Sequence, residues 1–122
     1  MTENEIAKIV VDCSFKIHTT IGPGLLESVY EEILFYELNQ RTLKVERQKG
    51  IPVVYNELKM DLGFRADLIV ENKVIIELKA VMGKMPKIFE SQVISYLKAS
   101  GIKVGLLVNF GNRSCELRRL MV

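Results

Sequence analysis

Cysteine is scarce in this chain. Cys13 and Cys115 are the only two in 122 residues, and they lie far apart. That usage argues against a disulfide framework or a thiolate zinc cluster. It fits reduced, buried thiols in a cytoplasmic protein. Histidine occurs once, as His18, which reads as a cation at a helix C-terminus, a packed ring, or a group near a site. No apolar run approaches the roughly 20 residues of a membrane span, so no membrane partner is expected. Residues Thr2 to Lys8 are charged and polar, unlike a secretory signal. The formal net charge of +2 is too small to argue for nucleic acid by itself. No aromatic platform for stacking single strands stands out, nor a recognition-helix pattern for the major groove. Repeats, low-complexity tracts and linkers are also missing.

What remains is an ordinary globular composition, 48% hydrophobic and 26% charged. The length suits one domain over residues 1–122 with a single core. Helical spacing of Ile6, Ile9, Val10, Cys13 and Ile17 predicts a helix over 3–19 that ends at His18. Gly22-Pro23-Gly24 then breaks the chain. A second helix follows over about 25–41, with Leu26, Val29, Tyr30, Ile33 and Leu38 as its apolar stripe. Residues 43–49 and 51–56 read as two strands separated at Gly50. Two more strands follow over 60–71 and 73–81. A helix over 87–100, stopped by Gly101, leads to an apolar strand over 102–109 and an edge strand over 114–121. The order is α-α-β-β-β-β-α-β-β. The crossover helix makes the strands on either side of it parallel, so the expected fold is α/β, with a mixed sheet flanked by helices.

The segment from Arg65 to Lys79 carries the chemistry. Asp67 and Glu77 are equidistant from Asn72, so a turn centred there sets them opposite each other on antiparallel strands. Opposed carboxylates repel and destabilise a sheet unless something compensates. A divalent cation would do so. Lys79 shares a face with Glu77. Apolar residues populate both faces of these strands, as in central strands, and charges buried there need partners. One alternative is a structural ion pair of Asp67 or Glu77 with Lys79 or Arg65. Glu27 opens the second helix, where a carboxylate suits the helix dipole. It shares a face with Tyr30 and Glu31, and the same position could aim it at a metal.

These residues resemble the core of the PD-(D/E)xK nuclease superfamily, a restriction-endonuclease-like fold. The matching positions are Glu27, Asp67, Glu77 and Lys79. Within it, the chain is similar to the small GxxExxY proteins. Gly24-Leu25-Leu26-Glu27-Ser28-Val29-Tyr30 fits that pattern, as do Gly22-Pro23, Arg65-Ala66-Asp67, Glu77-Leu78-Lys79, Gln92 with Ser95-Tyr96-Leu97, and Asn109-Phe110-Gly111. Ala66 stands where the usual proline precedes the first Asp. That position is not a ligand.

The resemblance implies a Mg²⁺- or Mn²⁺-dependent nuclease acting on nucleic acid, DNA being favoured. Hard divalent cations prefer oxygen ligands. Asp67, Glu77 and the Leu78 carbonyl would supply them, with Glu27 on a second ion or reaching the first through water. Lys79 would orient or deprotonate the attacking water, or neutralise the phosphate. Gln92 would position water or phosphate. Tyr30 and Tyr96 are candidate cleft residues, and Arg65, Lys84 and Lys87 candidate substrate contacts, with Arg47 and Lys49 further out. Each of these cations reads equally as a solvated surface charge. A homodimer or an unidentified protein partner would extend so small a footprint. The competing reading is a non-catalytic nucleic-acid-binding or protein-interaction module that retains the fold.

Overall fold

A computed structural model describes residues 1–122, apart from the side chain of Leu62. The chain runs α1 (Glu3–Ile21), α2 (Glu27–Gln40), β1 (Val45–Tyr55), β2 (Leu58–Val70), β3 (Val74–Lys79), α3 (Ile88–Ser100), β4 (Val104–Asn109) and β5 (Glu116–Met121). The five strands lie in sequence order across one sheet. β3 and β4 are parallel and the other neighbours antiparallel. The expected α/β class with a mixed sheet therefore holds, and α3 is the crossover that makes the parallel pair.

The strand count differs from expectation. The two strands foreseen over 43–56 are the single strand β1. Gly50 does not turn the chain; it stays in the ladder opposite Arg65. The irregularity is taken up instead at Gln48, which has φ +47°, and at a register shift between Ile51 and Val53. A bulge bends a strand and increases its twist without ending it.

The sheet is the middle of three layers. α1 and α2 cover one face, packing Ile6, Val10, Cys13, Leu34 and Leu38 against Leu68, Ile76, Leu106 and Val108. α3 covers the other, packing Val93 and Leu97 against Ile69, Ile75 and Leu107. Gly105 lets α3 approach: a Cβ there would meet Val93 Cγ1 at 2.5 Å.

α1 begins at a capping box between Thr2 and Glu5. It passes His18 and stops at Gly22, φ +69°. α2 is rotated from its expected face. It buries Tyr30, Glu31, Leu34 and Leu38 and leaves Leu26 74% exposed. Tyr30 fixes that rotation. Its ring stacks on Phe110 at 4.5 Å between centroids, and its hydroxyl donates to the Gly22 carbonyl at 2.7 Å. Glu31, next in sequence, is carried inward with it.

β2 pairs with β3 over only three positions, Leu68↔Ile76, Ile69↔Ile75 and Val70↔Val74. The register is centred on Asn72, as expected. Glu71 and Asn72 both take positive φ in the connection. Beyond Leu68 the two strands part, and β2 continues alongside β1 alone. A fork opens at Asp67 and Glu77.

Candidate metal and active site

Where the β2–β3 ladder stops, side chains take over from backbone. The Asp67 N–H donates to Glu77 Oε1 at 3.0 Å. The Leu78 N–H donates to Asp67 Oδ2 at 2.9 Å. Each strand therefore offers a carboxylate to the other strand's main chain. These crossed bonds hold the two acids close to each other. Glu77 is buried and Asp67 half-buried.

The electrostatics are those of a crowded acid pair. Burial first, then the Asp67 charge, push the Glu77 carboxyl up to about 8. The Asp67 N–H and Lys79 oppose that shift. Glu27 is exposed, yet partial burial of its carboxyl raises its pKa. Lys79 lowers it, and Asp67 and Glu31 raise it further. Glu27 thus lies within electrostatic reach of the pair. It does not join it: among the described residues no three acidic, histidine or cysteine side chains converge at ligating distance. The role expected of Glu27, on a second ion or reaching the first through water, does not require it to touch the pair. An oxygen-only pair is the donor type a hard divalent cation prefers, and a cation there would favour the ionised form of Glu77 against the burial that raises its pKa.

Lys79 is half-buried with its Nζ 4.3 Å above the Phe89 ring, a cation–π contact from α3. Among the described residues no ion pair joins it, or Arg65, to Asp67 or Glu77. The structural ion-pair alternative therefore fails. Tyr96, on α3, stacks on Phe64 at 3.9 Å. Burial and the charges of Glu77 and Asp67 raise its hydroxyl pKa, so it lies within electrostatic reach of the pair. Gln92 is half-buried one turn earlier on the same helix. The hydrogen bonds to Asp67 and Glu77 come from Gln48 and the backbone rather than from Gln92.

Tyr30 is not a cleft residue. It is fully buried, and its hydroxyl is used within the Gly22–Leu25 loop, where it also accepts from the Leu25 N–H at 3.2 Å. Lys84 and Lys87 are exposed, and so is Arg65, which donates to the Gln48 carbonyl at 3.2 Å. Arg47 is committed elsewhere, pairing with Glu31 and Glu32 over the Phe35 ring. Lys49 pairs with Glu46. Leu78 is fully buried, its N–H on Asp67.

Two residues at the site escape the sequence pattern. Gln48 Nε2 donates to both Glu31 Oε1, at 2.6 Å, and Asp67 Oδ1, at 3.1 Å. Glu31 is buried and salt-bridged to Arg47 at 3.1 Å. The four-residue spacing from Glu27 to Glu31 hinted at a shared face. Nothing in the sequence marked Gln48, because its direction depends on the positive φ.

The family profile described as the PD-(D/E)XK nuclease superfamily matches residues 4–120. No curated protein matches the sequence. Among solved structures, the crystal structure of SSO0001 is similar, with a TM-score of 0.61 at 18% identity. The match covers 77% of this chain and 48% of that one, so the chain spans about half the length of its structural neighbour. At that identity the likeness concerns the fold.

Proposed function

This chain belongs to the PD-(D/E)XK nuclease superfamily, and on that footing we propose that it is a metal-dependent nuclease cleaving phosphodiester bonds, with DNA the favoured polymer. The observation that carries the proposal is the Asp67–Glu77 pair at the fork of the sheet. Two carboxylates are held there at a position that a structural protein would fill with apolar residues. A bound Mg²⁺ or Mn²⁺ would supply Lewis-acid polarisation of the phosphate and an activated water. Asp67 and Glu77 would hold it, with the Leu78 carbonyl as a third ligand. Glu27, at the start of α2, would hold a second ion or reach the first through water.

Lys79 supplies positive charge where the scissile phosphate gains negative charge. The Phe89 ring holds its ammonium on the α3 side of the fork. Gln92 and Tyr96, on the same helix, present an amide and a hydroxyl to water or phosphate. Arg65, Lys84 and Lys87 are exposed cations available to the polymer backbone. The pattern around Gly24 to Tyr30 supports the narrower assignment to the GxxExxY proteins.

The second reading is a binding or interaction module that kept the fold. It draws on one observation: among the described residues no third aspartate, glutamate, histidine or cysteine converges on the pair. Cleavage assays separate the two. Circular and linear, single- and double-stranded DNA and RNA are incubated with Mg²⁺ or Mn²⁺, or with chelator, beside Lys79→Ala. Metal-dependent cleavage that Lys79→Ala abolishes supports the nuclease. No cleavage together with no metal binding supports the module.

A further inference from the structure

Gln48 is neither a motif residue nor an expected substrate contact, yet the backbone takes an uncommon path to aim it. The pairs Arg47↔Leu68 and Lys49↔Ala66 flank it, so the register sets it opposite Asp67. At φ +47° its backbone lies in the left-handed region, which side chains other than glycine's disfavour. Its carbonyl is capped by Arg65 Nη1. Its amide nitrogen lies between two carboxylate oxygens, Glu31 Oε1 and Asp67 Oδ1. Ionised carboxylates only accept, so the NH₂ end must face them. Glu31 is anchored in turn through Oε2 by Arg47, at 3.1 and 3.3 Å. Arg47 lies over Phe35 at 4.9 Å. A continuous chain of contacts thus runs from α2 through β1 to one oxygen of Asp67.

We propose that Gln48 is a positioning residue for Asp67, fixing its carboxylate so that Asp67 and Glu77 face one divalent cation. The inference rests on the metal-dependent reading above. Gln48 takes one lone pair of Oδ1, and the Leu78 N–H takes one of Oδ2. A carboxylate has about four such sites, so each oxygen keeps one for a cation. Bound at both oxygens, the side chain has surrendered its rotational freedom before any cation arrives. Partners that orient a metal ligand typically change affinity about 10–100-fold when removed.

The test is Mn²⁺ binding to the substrate-free protein, by calorimetry and electron paramagnetic resonance. Wild type is compared with Gln48→Gly, Gln48→Leu, Asp67→Asn and the double variant Gln48→Gly/Asp67→Asn. Glycine accepts the positive φ; leucine keeps the bulk and carries the comparison if the glycine variant fails to fold. The expected result is an affinity about 10–100-fold weaker for Gln48→Gly, with the near-ultraviolet circular dichroism unchanged. In the Asp67→Asn background the same substitution should change little, because its partner is already altered. Undiminished Mn²⁺ binding by Gln48→Gly would overturn the positioning role and leave the nuclease reading standing. An equal further loss in the Asp67→Asn background would also overturn it. A wild-type protein that binds no Mn²⁺ would remove the metal reading and this inference together.

Discussion

Glu77 shows how one buried acid ties stability to pH. Its carboxyl is lifted from 4.5 to about 8. Between those values the folded chain holds a proton that the unfolded chain has released, so stability is full below the lower value and falls as pH rises through the window. Glu77→Gln keeps an oxygen for the Asp67 N–H and abolishes the titration. In chelator, urea unfolding should find the variant close to wild type below pH 4.5 and about 1–3 kcal/mol more stable at about pH 9. A variant less stable than wild type at the higher pH would sink this account. Tyr30 makes the opposite case, a motif residue with structural work. Tyr30→Phe keeps the stack on Phe110 and loses the bridge between Gly22 and Leu25. It should lower stability by about 1 kcal/mol and leave any cleavage by the folded protein intact; a selective loss of turnover would return Tyr30 to the cleft. The closeness of Asp67 and Glu77 was legible because their spacing about Asn72 sets them opposite each other. Gln48 was not, since its role depends on a backbone angle.

Elements were legible where local chemistry decides them. The break at Gly22 and the stop at Gly101 are residue-level signals, and helix ends fall close to them. Gly50 reads as a turn or a bulge; cross-strand pairing carries the ladder through it, and the bulge falls just after it, between Ile51 and Val53. α2 misled because Leu26 and Val29 extend an apolar stripe that tertiary contacts override. At Gly105 the constraint comes from a neighbouring helix. Gly105→Ala should cost about 1–3 kcal/mol by overpacking, and Val93→Ala should relieve part of it, giving less than the sum of the two single losses. Additive effects in thermal unfolding would mean that α3 does not press on β4 there.

At the scale of the molecule, the parallel pair followed from connectivity. A crossover helix requires a parallel pair, and short links favour antiparallel neighbours. The fork did not follow, because sequence gives the register of two strands but not the point where they part. That point sits where layers on both faces reach the sheet, with Glu27 and Glu31 coming from α2 and Phe89 and Tyr96 from α3. A cation held there should stabilise the whole fold through mass action. At about 100 times its dissociation constant, Mn²⁺ should add about 2.7 kcal/mol, read as a higher melting temperature that chelator reverses. The increment should be larger near pH 8 than near pH 5, since protons compete for Glu77. An increment independent of pH would place the ion away from Glu77.

The crossed contacts at Asp67 and Leu78 make the fork a zipper stopped one tooth short. Both acids already serve as acceptors for main-chain N–H groups, so whatever draws a carboxylate aside strands an amide. That amide must then find water, the opposite strand or a substrate oxygen. Because the bonded oxygens of Asp67 each keep a free site, a cation can be gripped with the seam intact, whereas a ligand that pulls a carboxylate aside has to part the two strands as well.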